Sequence, residues 1–129
     1  MSDRYRPPPR NWVGKFGDAL TGIARGMRGE GSFLVHLPVA AAVIVLALVL
    51  RVTRQEGCLL ALCIAAVLGA ELMNSALERL ARAITCEYDD DVRIGLNIAS
   101  GAVLVVALGT VVVGLLIFLP RLLALLASS

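Results

Sequence analysis

The sequence holds one histidine and three cysteines, and charged residues fill only 17% of its positions, too few for the surface of a soluble domain. A single histidine, His36, excludes a His-rich metal site. The cysteines Cys58, Cys63 and Cys86 are odd in number and form no C-x-x-C pair. Cys58 and Cys63 fall in an apolar segment, where they read as small core hydrophobes in preference to a disulfide or a thiolate metal site. A formal charge of +2 without a dense basic run gives no footprint for nucleic acid. No G-x-x-x-x-G-K-[ST] stretch occurs, so a P-loop is excluded; Gly22, Gly26, Gly29 and Gly31 merely punctuate a helical pattern. About thirty polar and mixed residues precede the first apolar run, too many for the n-region of a signal peptide, and no cleaved secretory signal is expected.

What the chain has instead is apolar length. Its 129 residues leave room for one domain, and 58% of them are hydrophobic, with a mean hydropathy of +0.82. A core this small cannot bury so much apolar surface, so lipid must solvate the remainder. Three runs supply it: residues 33–50, 58–77 (with a polar helical extension to about Ile84) and 94–119, the last stopped by Pro120-Arg121. Each is near the roughly 20 residues that a membrane helix needs. Ahead of them, residues 1–10 read as a flexible lead with three prolines. Over 11–30, Trp12, Phe16, Leu20, Ile23 and Met27 recur at helical spacing and predict an amphipathic surface helix. The expected fold is therefore an all-α membrane protein, a surface helix followed by three transmembrane helices. Gly95, Ala99 and Ala102 share a face that would let helices approach closely, and three thin helices enclose little interior, so an oligomer is expected.

Chemistry is concentrated in Glu71-Leu72-Met73-Asn74-Ser75-Ala76-Leu77-Glu78. Steps of three, four and seven residues return to one helix face, so Glu71, Asn74, Ser75 and Glu78 form a polar stripe that Arg82 continues. Glu71 follows only about thirteen apolar residues, which puts it within the bilayer or at its edge. A charge at mid-membrane costs roughly 2.5–3.5 kcal/mol on insertion scales. The bland alternative is an ordinary polar helix end, with Glu78 paired to Arg82 at i,i+4. The functional alternative is two carboxylates and an amide oxygen that hold a hard divalent cation, or a shielded carboxylate that acts as a general base. His36 reads as an interfacial anchor in preference to a catalytic group.

E-x-x-N-S-A-[IL]-E at the end of a second membrane helix resembles the signature of the prokaryotic diacylglycerol kinase family, which includes the undecaprenol kinases. The likeness extends to Gly22, to Glu30 with Phe33, to Glu87-Tyr88 and to Ser100-Gly101-Ala102-Val103-Leu104, with no gap from Glu30 to Leu104. The resemblance implies a homotrimer in the bacterial inner membrane that transfers the γ-phosphate of ATP, with Mg2+, to a lipid hydroxyl. The acceptor is expected to be diacylglycerol, giving phosphatidic acid, with undecaprenol as the alternative. By position it implies Glu71 as the general base, Glu30 and Glu78 as the carboxylates for the metal, and Asn74, Glu87, Asp89 and Asn97 as residues that place the nucleotide. One departure stands out. Where the family usually carries Lys-Asp before S-G-A-V-L, this chain has Leu96-Asn97. The loss of a cation beside the transferred phosphates removes an electrostatic contribution. Arg82, Arg93 or an N-terminal arginine could replace it; a membrane protein that kept the fold and lost nucleotide binding is the competing reading.

The charges also predict an orientation. Arg4, Arg6, Arg10, Lys15, Arg25 and Arg28 precede the first run, and Arg79, Arg82 and Arg93 lie between the last two. Only Arg51 and Arg54 lie in the first connection, and Arg121 follows the third run. The positive-inside rule then puts the N-terminus and the second connection in the cytoplasm. Cysteine labelling should find position 54 outside and position 90 inside; the reverse would move the polar stripe to the wrong side for ATP.

Overall fold

A computed structural model describes residues 8–28 and 31–128, without the side chain of Ser32. Most of the expected lead, together with Gly29 and Glu30, lies outside the described residues. Those described form four helices and no strand: α1 (Trp12–Met27), α2 (Gly31–Val49), α3 (Arg54–Ile84) and α4 (Asp90–Ala127). α3 and α4 pack against each other most extensively, with α2 and then α1 laid against α3.

Each boundary has a local cause. The Asn11 side chain accepts from the Gly14 N–H at 2.8 Å and caps α1. α2 ends at a turn in which Val52 N–H donates to the Ala47 carbonyl and Arg51 N–H to that of Leu48. That is the Schellman pattern, and it puts Arg51 in the left-handed region at φ 50°. α3 opens with a capping box: Glu56 N–H donates to Thr53 Oγ1, and Thr53 N–H donates to Glu56 Oε2 at 2.8 Å. The first connection is thus shorter than residues 51–57, because the box starts the helix at Arg54.

α4 also runs further than the 94–119 run suggests. It begins at Asp90, since the Asp89 carboxylate caps it by accepting from the N–H groups of Asp91 and Val92. At its other end it continues through Pro120 to Ala127. Pro120 withdraws one helical donor. One residue along, Arg121 Nη1 donates to the Ile117 carbonyl at 2.9 Å. The same guanidinium forms a two-pronged pair with Glu56, Nη1 to Oε1 at 2.9 Å and Nη2 to Oε2 at 2.6 Å. This charge-assisted fork ties α4 to the first turn of α3.

Apolar surface points outward. Leu60, Ile117 and Phe118 form a small buried cluster with Val43, Leu46, Ala47, Leu50, Val52 and Val113 around it. Leu34, Leu48, Leu62, Val105, Leu116 and Leu126 stay largely exposed. α3 and α4 are each long and apolar enough to cross a membrane. α2, at 19 residues and a rise of 1.5 Å each, reaches about 28 Å, close to the thickness of the hydrocarbon core. α1 buries no residue and exposes Trp12, Phe16 and Leu20 along one side.

A non-glycine residue in the left-handed region costs roughly 1–2 kcal/mol, part of which glycine returns as backbone entropy in the unfolded chain. Arg51→Gly should therefore raise the unfolding free energy by about 0.5–1 kcal/mol. Thermal unfolding in detergent checks this, and a destabilised variant would show that the Arg51 side chain contributes more than its backbone costs.

Candidate active site

The helical spacing of α3 sets Glu71, Asn74, Ser75 and Glu78 along one face, where α2 and α1 lie against it. Glu71 retains only 3% of its accessible surface and Ser75 only 2%. The partner of Glu71 comes from α2: His36 Nδ1 stands 3.0 Å from Glu71 Oε1. One turn further, Asn74 Nδ2 donates to Glu78 Oε1 at 2.9 Å. Glu78 Oε2 faces Arg82 Nη1 at a looser 3.9 Å.

Two buried polar atoms in this stripe have no hydrogen-bond partner among the described residues, Asn74 Oδ1 and Ser75 Oγ. Such an atom costs about 1–3 kcal/mol if it stays unsatisfied. Asn74 Oδ1 lies on the residue that already binds Glu78, so the pair offers an oxygen-rich edge: one amide oxygen and the second carboxylate oxygen. Oxygen donors of this kind suit a hard divalent ion, which needs one or two carboxylates and takes its other ligands from phosphate and water. Among the described residues no group of three or more His, Cys, Asp and Glu side chains forms a closed metal cage.

His36, Glu71 and Asn74 line an open cavity of about 250 Å³, closed on its far side by Ser100, Val103, Leu104 and Ala107 of α4. A second hollow of about 410 Å³ lies between α1 and α3, with Gly22, Gly26, Leu72, Ser75 and Arg79 on its walls. The helices come close here: a Cβ on Gly26 would stand 2.6 Å from Leu72 Cδ2. Arg79 Nη2 donates to the Arg25 carbonyl at 2.9 Å and fastens the end of α1 to α3.

The prokaryotic diacylglycerol kinase family model matches residues 17–118. The chain belongs to this family. It is 31% identical over 117 residues to an undecaprenol kinase of Bacillus subtilis, a match covering 88% of this chain and 95% of the relative. It is also 32% identical over 116 residues to a diacylglycerol kinase of Synechocystis, covering 89% of this chain and 66% of that relative. No solved structure matches. The molecule is thus an all-helical membrane protein of a family of prokaryotic lipid kinases.

Seen as a family member, the chain brings Glu71, Asn74 and Glu78 together, while Glu30 lies outside the described residues. Asn97 is exposed on α4 one turn before Ser100, and Leu96 beside it is half-buried. Glu87 is exposed in the connection between α3 and α4, where its N–H donates to Thr85 Oγ1. Asp89 spends one carboxylate oxygen on the α4 cap. Arg93 is paired with Asp90 at 3.1 Å, and Arg82 stands beside Glu78 at the end of the stripe.

His36, read from the sequence as an interfacial anchor, also stands against Glu71, a contact the sequence did not indicate. The signal lay in the topology. α2 starts on the membrane side where the polar stripe of α3 ends, so an early polar residue of α2 faces that stripe if it lies on the inner side. One sequence gives no register between two apolar helices, and that register decides the pairing.

The stripe yields a direct stability test. Ser75→Ala deletes a buried hydroxyl that has no partner, so the ligand-free protein should be as stable as wild type or more stable by about 1 kcal/mol. Loss of thermal stability in this variant would reveal a protein partner for the hydroxyl.

Proposed function

We propose that this protein is an ATP-dependent lipid kinase with Glu71 as its general base. The observation that carries the reading is the almost complete burial of Glu71, on the family signature, at the wall of an open cavity. A carboxylate kept from water there is well suited to take a proton from a lipid hydroxyl. The lipid O–H bond breaks and its proton passes to Glu71. The oxygen bonds to the γ-phosphorus of ATP, and the bond from that phosphorus to its bridging oxygen breaks, which releases ADP. Little covalent chemistry is left for the protein, so positioning and charge neutralisation dominate.

Glu78 and the orphaned oxygen of Asn74 are the described residues that would hold Mg2+, with Glu30 as the further carboxylate the family pattern supplies. Mg2+ bound there would neutralise phosphate charge. Asn97, Glu87 and Asp89 are proposed to approach the nucleotide, the last through the carboxylate oxygen its cap leaves over. Arg82 is proposed to stand in for the lysine that Leu96 replaces. α1 would lie in the interface with Trp12 among the headgroups, the active site would face the cytoplasm of a bacterial inner membrane, and the assembly would be a homotrimer.

The acceptor is a lipid alcohol, diacylglycerol or undecaprenol. The undecaprenol kinase relative matches this chain along 95% of its length, which favours the polyprenol as a second acceptor to test. Transfer of labelled γ-phosphate to each lipid, side by side, measures the choice. Glu71→Gln keeps size and hydrogen bonding but cannot take the proton, and should lower the transfer rate by about 10²–10⁴-fold with nucleotide binding largely intact. Glu78→Gln should instead weaken Mg-ATP binding. An active Glu71→Gln enzyme would end this mechanism.

A further inference from the structure

We propose that His36 is the positioning residue for the base: its Nδ1, 3.0 Å from Glu71 Oε1, engages that oxygen and leaves Oε2 for the lipid hydroxyl. This rests on reading Glu71 as the base. The geometry has three parts. Glu71 lies in α3 and His36 in α2, so the 3.0 Å contact joins two helices and fixes the carboxylate across the bundle. The Glu71 side chain is 4% exposed and that of His36 24%, so the imidazole forms the outer side of the pair and the carboxylate the inner. Both residues border the same cavity as Asn74 and Ser100, and His36 also borders an apolar groove of about 220 Å³ that runs on between α2, α3 and α4.

A carboxylate with two equivalent oxygens and no partner rotates, and either oxygen then meets the substrate at an uncontrolled angle. A donor on Oε1 removes that freedom and leaves the lone pairs of Oε2 for the incoming proton. A base oriented by a third group is a recurrent arrangement in nucleophile activation. Either a neutral imidazole protonated on Nδ1 or an imidazolium can serve as this donor toward an ionised Glu71. In the dry interior such a bond is stronger than it would be in water. His36 is also two residues before Pro38, whose fixed φ limits how far the backbone near the imidazole can turn.

The test compares wild type, His36→Leu and His36→Asn in nanodiscs with Mg-ATP and each lipid. The Asn amide nitrogen occupies nearly the place of Nδ1 and can donate to the same oxygen, whereas Leu cannot. His36→Leu should lower kcat by about 10–100-fold while both KM values stay within about two-fold, and His36→Asn should recover most of that loss. Because His36 is the only histidine, a 15N-histidine label gives one imidazole spectrum. In wild type Nδ1 should carry a proton, and Glu71→Leu should shift the nitrogen resonances of the ring. A His36→Leu enzyme with undiminished kcat, a folded His36→Asn as slow as His36→Leu, or a nitrogen spectrum indifferent to Glu71→Leu overturns the proposal. If wild type phosphorylates neither lipid, the kinase reading falls instead, and the nitrogen spectrum then decides whether His36 holds Glu71.

Discussion

A carboxylate buried among apolar helices has to be met by a donor from the protein, because no water is there to solvate it. Glu71, 3% exposed, is in that position, and the arrangement around it follows. α2 must lie close enough for His36 to reach Oε1, which sets the register of α2 on α3. The rest of the stripe is left to satisfy itself, and it does so only in part. Asn74 binds Glu78, while Asn74 Oδ1 and Ser75 Oγ find no partner among the described residues. Buried polar networks are stabilising when complete and costly when incomplete. The deficit sits on the face that also carries Glu71 and Glu78.

The far end of the bundle is built on the opposite principle. There one charged pair is fully engaged: Glu56 accepts from both Thr53 and Arg121, and Arg121 also donates to the Ile117 carbonyl. Beside this pair lies the apolar cluster of Leu60, Ile117 and Phe118. α3 and α4 are thus joined at both ends, by the covalent connection after Ile84 and by the Glu56–Arg121 fork. The Glu56–Arg121 fork ties the helices at one end, and the orphaned oxygens lie toward the other.

The sequence made the helices readable because lipid-facing helices are apolar on most sides and their runs are long. The signature stripe was readable because four polar side chains at helical spacing interrupt such a run, which costs energy unless they have a task. Other features depend on contacts between elements, which spacing does not encode. Pro120 reads as a stop when the chain is taken locally, yet α4 passes through it, with Arg121 anchored to a glutamate 65 positions earlier. His36 reads as an anchor until α2 is set in register with α3. Arg51 gives no hint of a left-handed turn, because arginine is not a residue that favours one; the turn is imposed by Val52 packing back onto the apolar cluster.

That turn makes α2 a lever. α3 and α4 are tied to each other at both ends, whereas α2 meets α3 covalently only through residues 50–53. His36 sits fifteen residues from Arg51, about 22 Å along the axis at 1.5 Å per residue. A swing of only about 5° about the turn would carry the imidazole through an arc of about 2 Å, enough to break its bond to the carboxylate. The conformational stiffness of one residue at one face of the molecule thus bears on how closely His36 and Glu71 stay together at the other.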